Sequence, residues 1–445
     1  YSYKALSLST IMASFFCSVV IRIFMSGLPA HISPVHTARV YLEVERAVEL
    51  GLEVDEVQLD FARAAEHRDE VVSKLRAGVG GLLKANDVEL VRGEARFEDE
   101  HSLSVTGDEE RTISAETIMI ATGSEPVELP EAPFDGEKII NSSTAVHFNE
   151  APESLLIVGG GYIGCEFAAA FTTMGVKVTV VELLDRILAE MDADCGREVY
   201  KYLKKRGATI LTGVRAEEVD TSGEGVVARL SNEKEEEVSA EKMLVCVGRK
   251  SSAGGVGLEK VGVEVDGKGS IVVNEHMQTS VPHIYAIGDV TGGILLAHVG
   301  SQEGLVAAAH ATGKLSAKMD YRVVPACAFT LPEIATVGIQ EEDAREQGLD
   351  ITVKRFPMKA LGKAHVDAET DGFVKMIADA ETGEILGVHM VSDEASNLIG
   401  EAALAMQLEA TAEELAETIH AHPTMPEAVR EAAEGVIGLP VNWTG

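Results

Sequence analysis

The sequence predicts an α/β protein that ends in a part of different, α+β character, and three observations carry that reading. Ser154–Val158 (SLLIV) is a short apolar strand that runs into Gly159-Gly160-Gly161. A helical pattern from Tyr162 to Met174 and the strand Lys177–Glu182 (KVTVVE) follow. This unit occupies about 30 residues, the length of a parallel βαβ crossover. Strand and helix patterns alternate on to Gly248, as in a parallel sheet clad by helices. Past Ala326 the texture changes. Strand-like runs at Thr336–Ile339 and Gly387–Val391 precede a long helical pattern from Glu394 to Gln407.

The chain has 445 residues, enough for two to four domains at roughly 100–200 residues each. Hydrophobic residues make up 46% and charged residues 25%, which excludes a mainly disordered or collagenous chain. Asp and Glu number 72 against 38 Lys and Arg, a formal net charge of −34. Nucleic-acid binding is excluded on that balance, because phosphate contacts need Lys and Arg. Such an excess repels itself at low salt, and a saline cytoplasm would relieve it by screening. A merely acidic protein is the plainer alternative. The five cysteines, Cys17, Cys165, Cys195, Cys246 and Cys327, are widely spaced, with no CxxC, CxxxxC or zinc pattern. They read as reduced thiols of a cytoplasmic protein.

The first residue is Tyr1 rather than Met, so the sequence is expected to begin partway through a longer chain. Ile11–Met25 is apolar but carries Arg22 and falls short of the roughly 20 apolar residues of a membrane span. No membrane role is expected. From Ala38 to Lys84 the pattern is helical, with apolar stripes at Val40, Leu42, Val44 and Val48 and at Val71, Val72, Leu75 and Leu82. Val88–Val91 and Ala95–Phe97 read as short strands around Gly93. Glu116–Ala121 reads as a strand ending in Thr122-Gly123-Ser124, and Ile284–Asp289 (IYAIGD) as a buried strand ending in an acid. The run Glu233–Glu237 reads as a solvated hairpin edge.

Gly159-Gly160-Gly161-Tyr162-Ile163-Gly164 fits G-x-G-x-x-G between a strand and a helix, with Glu182 closing the next strand. In that context the motif binds a dinucleotide. Gly159 permits the tight turn, Gly161 lets a pyrophosphate approach the backbone, and Gly164 lets helix and strand pack closely. The helix N-terminus offers N–H groups and partial positive charge to the phosphates. A carboxylate at Glu182 accepts hydrogen bonds from a ribose 2′-hydroxyl and repels a 2′-phosphate, which selects NAD over NADP. Glu166 reads either as a helix-start acid or as a group near the nicotinamide. Asp289 reads either as a turn residue or as a ligand at the carboxyl end of a strand. His422 precedes Pro423, which favours extended backbone, and Glu427 opens a helix five residues later. This pair is either a plain loop or a carboxylate-oriented base.

These pieces stand in one order: ATGS, GGGYIGCE with VVE, VGR, AIGDV, VPACAFTLPE and HPTMPE. The order resembles the pyridine nucleotide-disulfide flavoprotein reductases, and among them the dihydrolipoamide dehydrogenases, over nearly all of Ala38–Gly445. The resemblance implies two nucleotide-binding three-layer domains, the FAD one N-terminally incomplete, plus a C-terminal α+β dimerisation domain. The implied division is 1–150 for the incomplete FAD domain, with 1–37 atypical. The NAD domain follows at 151–267, a central part completing the FAD domain at 268–322, and the dimerisation domain at 323–445. It implies FAD and NAD as cofactors and a homodimer that reoxidises the lipoyl domains of 2-oxoacid dehydrogenase or glycine-cleavage complexes.

Carried over, Val214 touches adenine and Gly248 lies along NAD. Asp289 holds the ribityl chain of FAD. Leu295, Leu296, Ala297 and His298 line the flavin, and Thr122, Gly123, Ser124 and Ala95 contact the rest. His422 is the general base, held by Glu427. Two signatures of the resemblance are missing, the N-terminal glycine loop for FAD and the redox CxxxxC. Lys4-Ala5-Leu6 matches the end of the SKAL that follows the second redox cysteine, which would pair Lys4 with Glu166. The sequence is therefore expected to be truncated and catalytically incomplete. A transhydrogenase-like flavoprotein and a non-catalytic NAD-binding dimeric fragment are the alternatives.

Overall fold

A computed structural model describes residues 18–21, 28–54, 57–107, 110–231, 236–314, 316–439 and 442. Lys4 and Cys17 lie outside the described residues. The chain divides into two compact units. The first gathers the strand Ser18–Ile21 with His67–Val127 and Arg249–Tyr321, and the second comprises Ala30–Glu66, Glu128–Gly248 and Arg322–Gly445.

In the first unit Thr117–Ile120 lies between Ser18–Ile21 and Ile284–Ala286 in a three-stranded parallel sheet. Both Thr117–Ile120 and Ile284–Ala286 are apolar without alternation, as strands buried on both faces should be. Ile118, Ile120, Ile284 and Ala286 pack with Phe97, Leu103 and Val290. Phe97 and Leu103 come from an antiparallel sheet of Gly93–Asp99, Ser102–Gly107 and Arg111–Ser114. A short pair, Ser124–Pro126 with Arg249–Ser251, carries the chain out of Thr117–Ile120.

In the second unit a five-stranded parallel sheet runs in the order Thr209–Thr212, Lys177–Glu182, Ser154–Val158, Lys242–Val245, Ile139–Asn141. The helix Tyr162–Thr173 is buried from Gly164 onward, and Ala168-Ala169-Ala170 let it lie close to the sheet. The same unit holds an antiparallel five-stranded sheet, Ala326–Ala328, Glu333–Gly338, Ile385–Ser392, Phe373–Asp379, Ile351–Pro357. Helices Ala395–Gln407, Ala412–Glu417 and Glu427–Val436 pack their apolar residues with this sheet's core. Thr411 and Glu414 form a capping box at the start of Ala412–Glu417.

Two local readings change. The helical stretch is two helices, Leu28–Arg46 and Phe61–Ala85, and a 3-10 turn at Ala47–Leu50 follows the first. The first begins ahead of Ala38 and accommodates Pro34 within it. Val88–Val91 is not a strand: Asp87 takes φ +55 and the Val88 N–H donates to the Leu83 carbonyl at 2.9 Å, so this segment finishes the helix. The strand starts at Gly93 instead. Of the acidic run, residues 232–235 lie outside the described residues. Their flanks, Val226–Leu230 and Glu237–Ala240, pair as antiparallel neighbours.

Many of the described ion pairs, such as Arg63–Glu66 and Lys250–Glu125, join exposed partners and stabilise little. With a net charge of −34, repulsion dominates where the Debye length is about 30 Å, at 0.01 M salt. It is largely screened at about 1 M, where that length is roughly 3 Å. The melting temperature should therefore climb steeply as KCl is added. A melting temperature that stays flat from low to molar salt would show that the acidic excess is no saline adaptation.

Candidate active site

The glycine loop of the second unit is built by contacts that only glycine allows. Gly159 has φ +107, and a Cβ there would strike the Cys246 carbonyl of the neighbouring strand's exit. A Cβ on Gly164 would strike the Gly159 carbonyl, so this position sets how close the helix comes to the turn. Gly161 meets nothing within 4 Å and leaves open space over the loop, where a diphosphate fits. Gly161 is also the N-cap of Tyr162–Thr173 and supplies no capping side chain. Tyr162 and Ile163 follow in the first turn, half-buried. These features fit NAD at this loop.

Glu182 ends its strand with both carboxylate oxygens engaged. Oε2 accepts from the Gly160 N–H at 2.5 Å and Oε1 from the Leu184 N–H at 2.7 Å. The Val214 N–H donates to the Glu182 carbonyl at 3.1 Å, which brings Val214 beside the same strand end. Gly248 takes φ +118 beyond the end of Lys242–Val245. Glu166 is buried, and its Oε1 accepts the Phe329 N–H at 2.7 Å.

The described cysteines carry no disulfide. Burial pushes the Cys165 and Cys246 thiols well up, and the nearby Glu166 carboxylate adds to this. Burial also raises Cys327, to about 11. Such thiols stay protonated at neutral pH and make poor nucleophiles.

In the first unit Asp289 follows the Ile284–Ala286 strand and accepts from the Ser124 hydroxyl at 2.5 Å. Arg249 donates from Nε to the Ser124 hydroxyl and from Nη2 to its carbonyl, both at 2.7 Å, and lies 3.9 Å from Asp289. The Thr122 hydroxyl beside them is buried without a partner among the described residues. Gly123 turns the chain at φ +73 and its carbonyl accepts the Ser252 N–H. Leu295 and Leu296 lead into the helix Ala297–Ala311, whose first residues, Ala297 and His298, are exposed. Ala95 is half-buried against the core of this unit.

Two residues of this cluster escaped the sequence reading. Arg249 is the last letter of VGR. Glu303 is buried and accepts the Gly288 N–H at 2.6 Å and the Tyr321 hydroxyl at 2.7 Å, fastening the turn that carries Asp289.

A flavin nucleotide also needs its diphosphate held. The strand beside Thr117–Ile120 is Ser18–Ile21, and the six residues before the Leu28–Arg46 helix read Arg-Ile-Phe-Met-Ser-Gly. The flavin-side residues fit FAD, while the sequence spells no N-terminal G-x-G-x-x-G for its diphosphate. A purified chain of this sequence should therefore retain little FAD while still binding NAD. A yellow protein with stoichiometric flavin after gel filtration would overturn that expectation.

The third cluster lies in the second unit, at HPTMPE. Glu427 begins the helix Glu427–Val436. Its Oε1 pairs with His422 Nδ1 at 2.9 Å, and its Oε2 accepts the Thr424 N–H at 2.9 Å. Burial alone would raise the Glu427 pKa, but the bonds from Thr424 and His422 and the charge of Arg430 bring it below the usual value. The His422 side chain stays 79% exposed. His420 is different. Its Nδ1 meets the Thr418 carbonyl and its Nε2 meets Glu401, both at 2.8 Å, with only 5% of the side chain exposed. Of the two histidines, only His422 pairs one nitrogen with an acid and keeps the ring open to solvent.

Comparison with known proteins defines the class. The family described as pyridine nucleotide-disulphide oxidoreductase matches residues 31–304, and its dimerisation domain matches 324–433. The chain belongs to this family and is an oxidoreductase that carries the family's dimerisation domain. Within the family it is similar to dihydrolipoyl dehydrogenases. It is 40% identical to that of Geobacillus stearothermophilus over 90% of this chain and 86% of the relative. It is 41% identical to that of Haloferax volcanii over 90% of this chain and 85% of the relative. The crystal structure of LpdA from Mycobacterium tuberculosis matches with a TM-score of 0.89 and 26% identity, covering 96% of this chain and 97% of that one. The HOCl-induced flavoprotein disulfide reductase RclA from Escherichia coli matches with a TM-score of 0.84, also at 26% identity, over 96% and 97% of the two chains. FAD and NAD are the cofactors of this family. No helix among the described residues is long and apolar enough to cross a membrane.

Proposed function

We propose that the protein oxidises dihydrolipoamide with NAD, and that its partners are the lipoyl domains of a 2-oxoacid dehydrogenase or glycine-cleavage complex in the cytoplasm. The observation that carries this is the His422–Glu427 pair. Hydride exchange between a flavin and a nicotinamide moves no thiol proton, whereas a dithiol must lose a proton before sulfur can attack a disulfide, and an exposed imidazole oriented by a carboxylate can accept it. The net reaction converts the dithiol and NAD to the cyclic disulfide, NADH and one proton.

Each group then has a defined task. Glu427 fixes the imidazole through Nδ1, so that Nε2 accepts the thiol proton. The glycine loop Gly159–Gly164 holds the NAD diphosphate, Glu182 the adenosine ribose and Val214 the adenine edge, while Gly248 leaves room along the dinucleotide. Glu166 lies at the nicotinamide end. Thr122, Gly123, Ser124, Ala95 and Asp289, with Leu295–His298, hold the flavin side of FAD, which supplies electron transfer between thiols and nicotinamide when bound. The proposed division assigns 1–150 and 268–322 to FAD, 151–267 to NAD and 323–445 to the homodimer contact.

The sequence spells no CxxxxC, so the test uses a chimera. A relative's segment bearing the glycine loop and both redox cysteines is placed ahead of Ala38. Dihydrolipoamide-dependent NADH formation is the expected result. A chimera that holds flavin and reduces dyes with NADH, yet ignores dihydrolipoamide, would overturn the reading. Hydride exchange between NADPH and NAD by that chimera would favour the transhydrogenase instead.

A further inference from the structure

The residues just after Glu182 form a strap over the glycine loop. The Leu188 N–H donates to the Gly160 carbonyl at 2.8 Å, and Ile187 is packed so tightly there that a Cβ on Gly160 would meet its methyl at 2.8 Å. Leu188 is held at φ +52, a conformation that a leucine keeps only when its surroundings impose it.

Three side-chain contacts from residues 340–375, within the dimerisation region, impose it. Gln340 Nε2 donates to the Glu190 carbonyl at 2.9 Å, and Arg186 pairs with Glu342 at 3.0 Å. The third is the buried ammonium of Lys375, on the strand Phe373–Asp379. Its donors reach Asp192 at 3.0 and 3.1 Å, Asp194 at 2.9 Å and Glu341 at 2.6 Å. A buried ammonium with three carboxylates around it has all its donors satisfied, and removing it would strand those charges. Asp192 is the end of the strap and also the N-cap of the helix Ala193–Lys205.

We infer that Lys375 is a positioning residue for NAD: through Asp192 and the strap Leu183–Asp192 it sets the geometry of the Gly160 turn on which the diphosphate rests. The dimerisation region thereby tunes nucleotide affinity without touching the nucleotide. The inference rests on the NAD reading of this loop.

The test is NADH binding followed by fluorescence titration in the full chain, which needs no flavin. Lys375→Met should weaken NADH about tenfold, the scale of coupling through such networks. Asp192→Asn keeps an acceptor at the helix N-cap and removes only the charge held by Lys375. It should show the same loss even where Lys375→Met fails to fold. Glu198→Gln is the control. Glu198 lies on the same helix and bonds Arg355 and Lys201 rather than Lys375. It should lower the melting temperature and leave NADH affinity unchanged. If affinity falls in proportion to melting temperature in all three, or if Asp192→Asn binds NADH as tightly as the unmodified chain, the inference is overturned. An unmodified chain that binds no NADH would overturn the NAD reading and this inference together.

Discussion

His422→Gln, made in the chimera that carries the redox cysteines, should slow oxidation of dihydrolipoamide by about 10²–10⁴-fold, the usual worth of a positioned general base. Reduction of a small dye by NADH should be nearly spared, because that route moves a hydride and no thiol proton. The structure makes the expectation specific to one ring. His420 has both nitrogens engaged and is buried, whereas His422 is exposed and joined to Glu427 through Nδ1 alone. Glu427→Gln should do less damage, since an amide oxygen can still accept from Nδ1 and the ring keeps its basic nitrogen.

The pH dependence follows from the sign of the Glu427 shift. Its pKa is lowered on folding, so its contribution to stability is present above the unfolded value and is lost only as pH falls through the lower folded value. The loop should therefore hold its shape in mild acid. Measuring both routes in one preparation decides the matter. If His422→Gln impaired dye reduction as severely as dithiol oxidation, the histidine would be holding the loop or the dimer rather than moving a proton.

What could be read from the sequence shares one physical property, which is locality. The glycine loop with Glu182, the acid after Ile284–Ala286 and the His422–Glu427 spacing each lie within one short stretch of chain. There, backbone geometry and residue type constrain each other directly. Arg249 is bonded to Ser124 across 125 positions and Lys375 to Asp192 across 183, and no period or motif announces such pairs. The helix from Leu28 was hidden for a related reason, since Pro34 argues locally against it and only tertiary packing of Val35, Ala38 and Leu42 overrides that preference. Val88–Val91 failed in the opposite sense. Its β-branched residues suit a strand, but the Asp87 turn ties the backbone to the preceding helix, and Leu90 is left exposed.

Nucleotide choice should be the property most sensitive to one side chain. The Glu182 carboxylate is fixed by the Gly160 and Leu184 N–H groups, so it cannot swing away from a ligand that carries extra negative charge. A ribose 2′-hydroxyl donates to it. A 2′-phosphate meets like charge at short range, which costs several kcal/mol at an interface. The unmodified chain should accordingly bind NAD at least about 100-fold more tightly than NADP. Glu182→Arg should narrow or reverse that ratio by offering a cation to the phosphate.

The same substitution also strips the Gly160 N–H of its acceptor, so NAD affinity should fall as NADP affinity rises. Glu182→Gln separates the two effects. Its amide oxygen can still accept from Gly160 while the charge is gone, so NADP should improve with only a modest loss of NAD. Titrating both nucleotides into the three proteins checks this. Equal affinity for NAD and NADP in the unmodified chain would show that the carboxylate fastens the loop and takes no part in choosing the nucleotide.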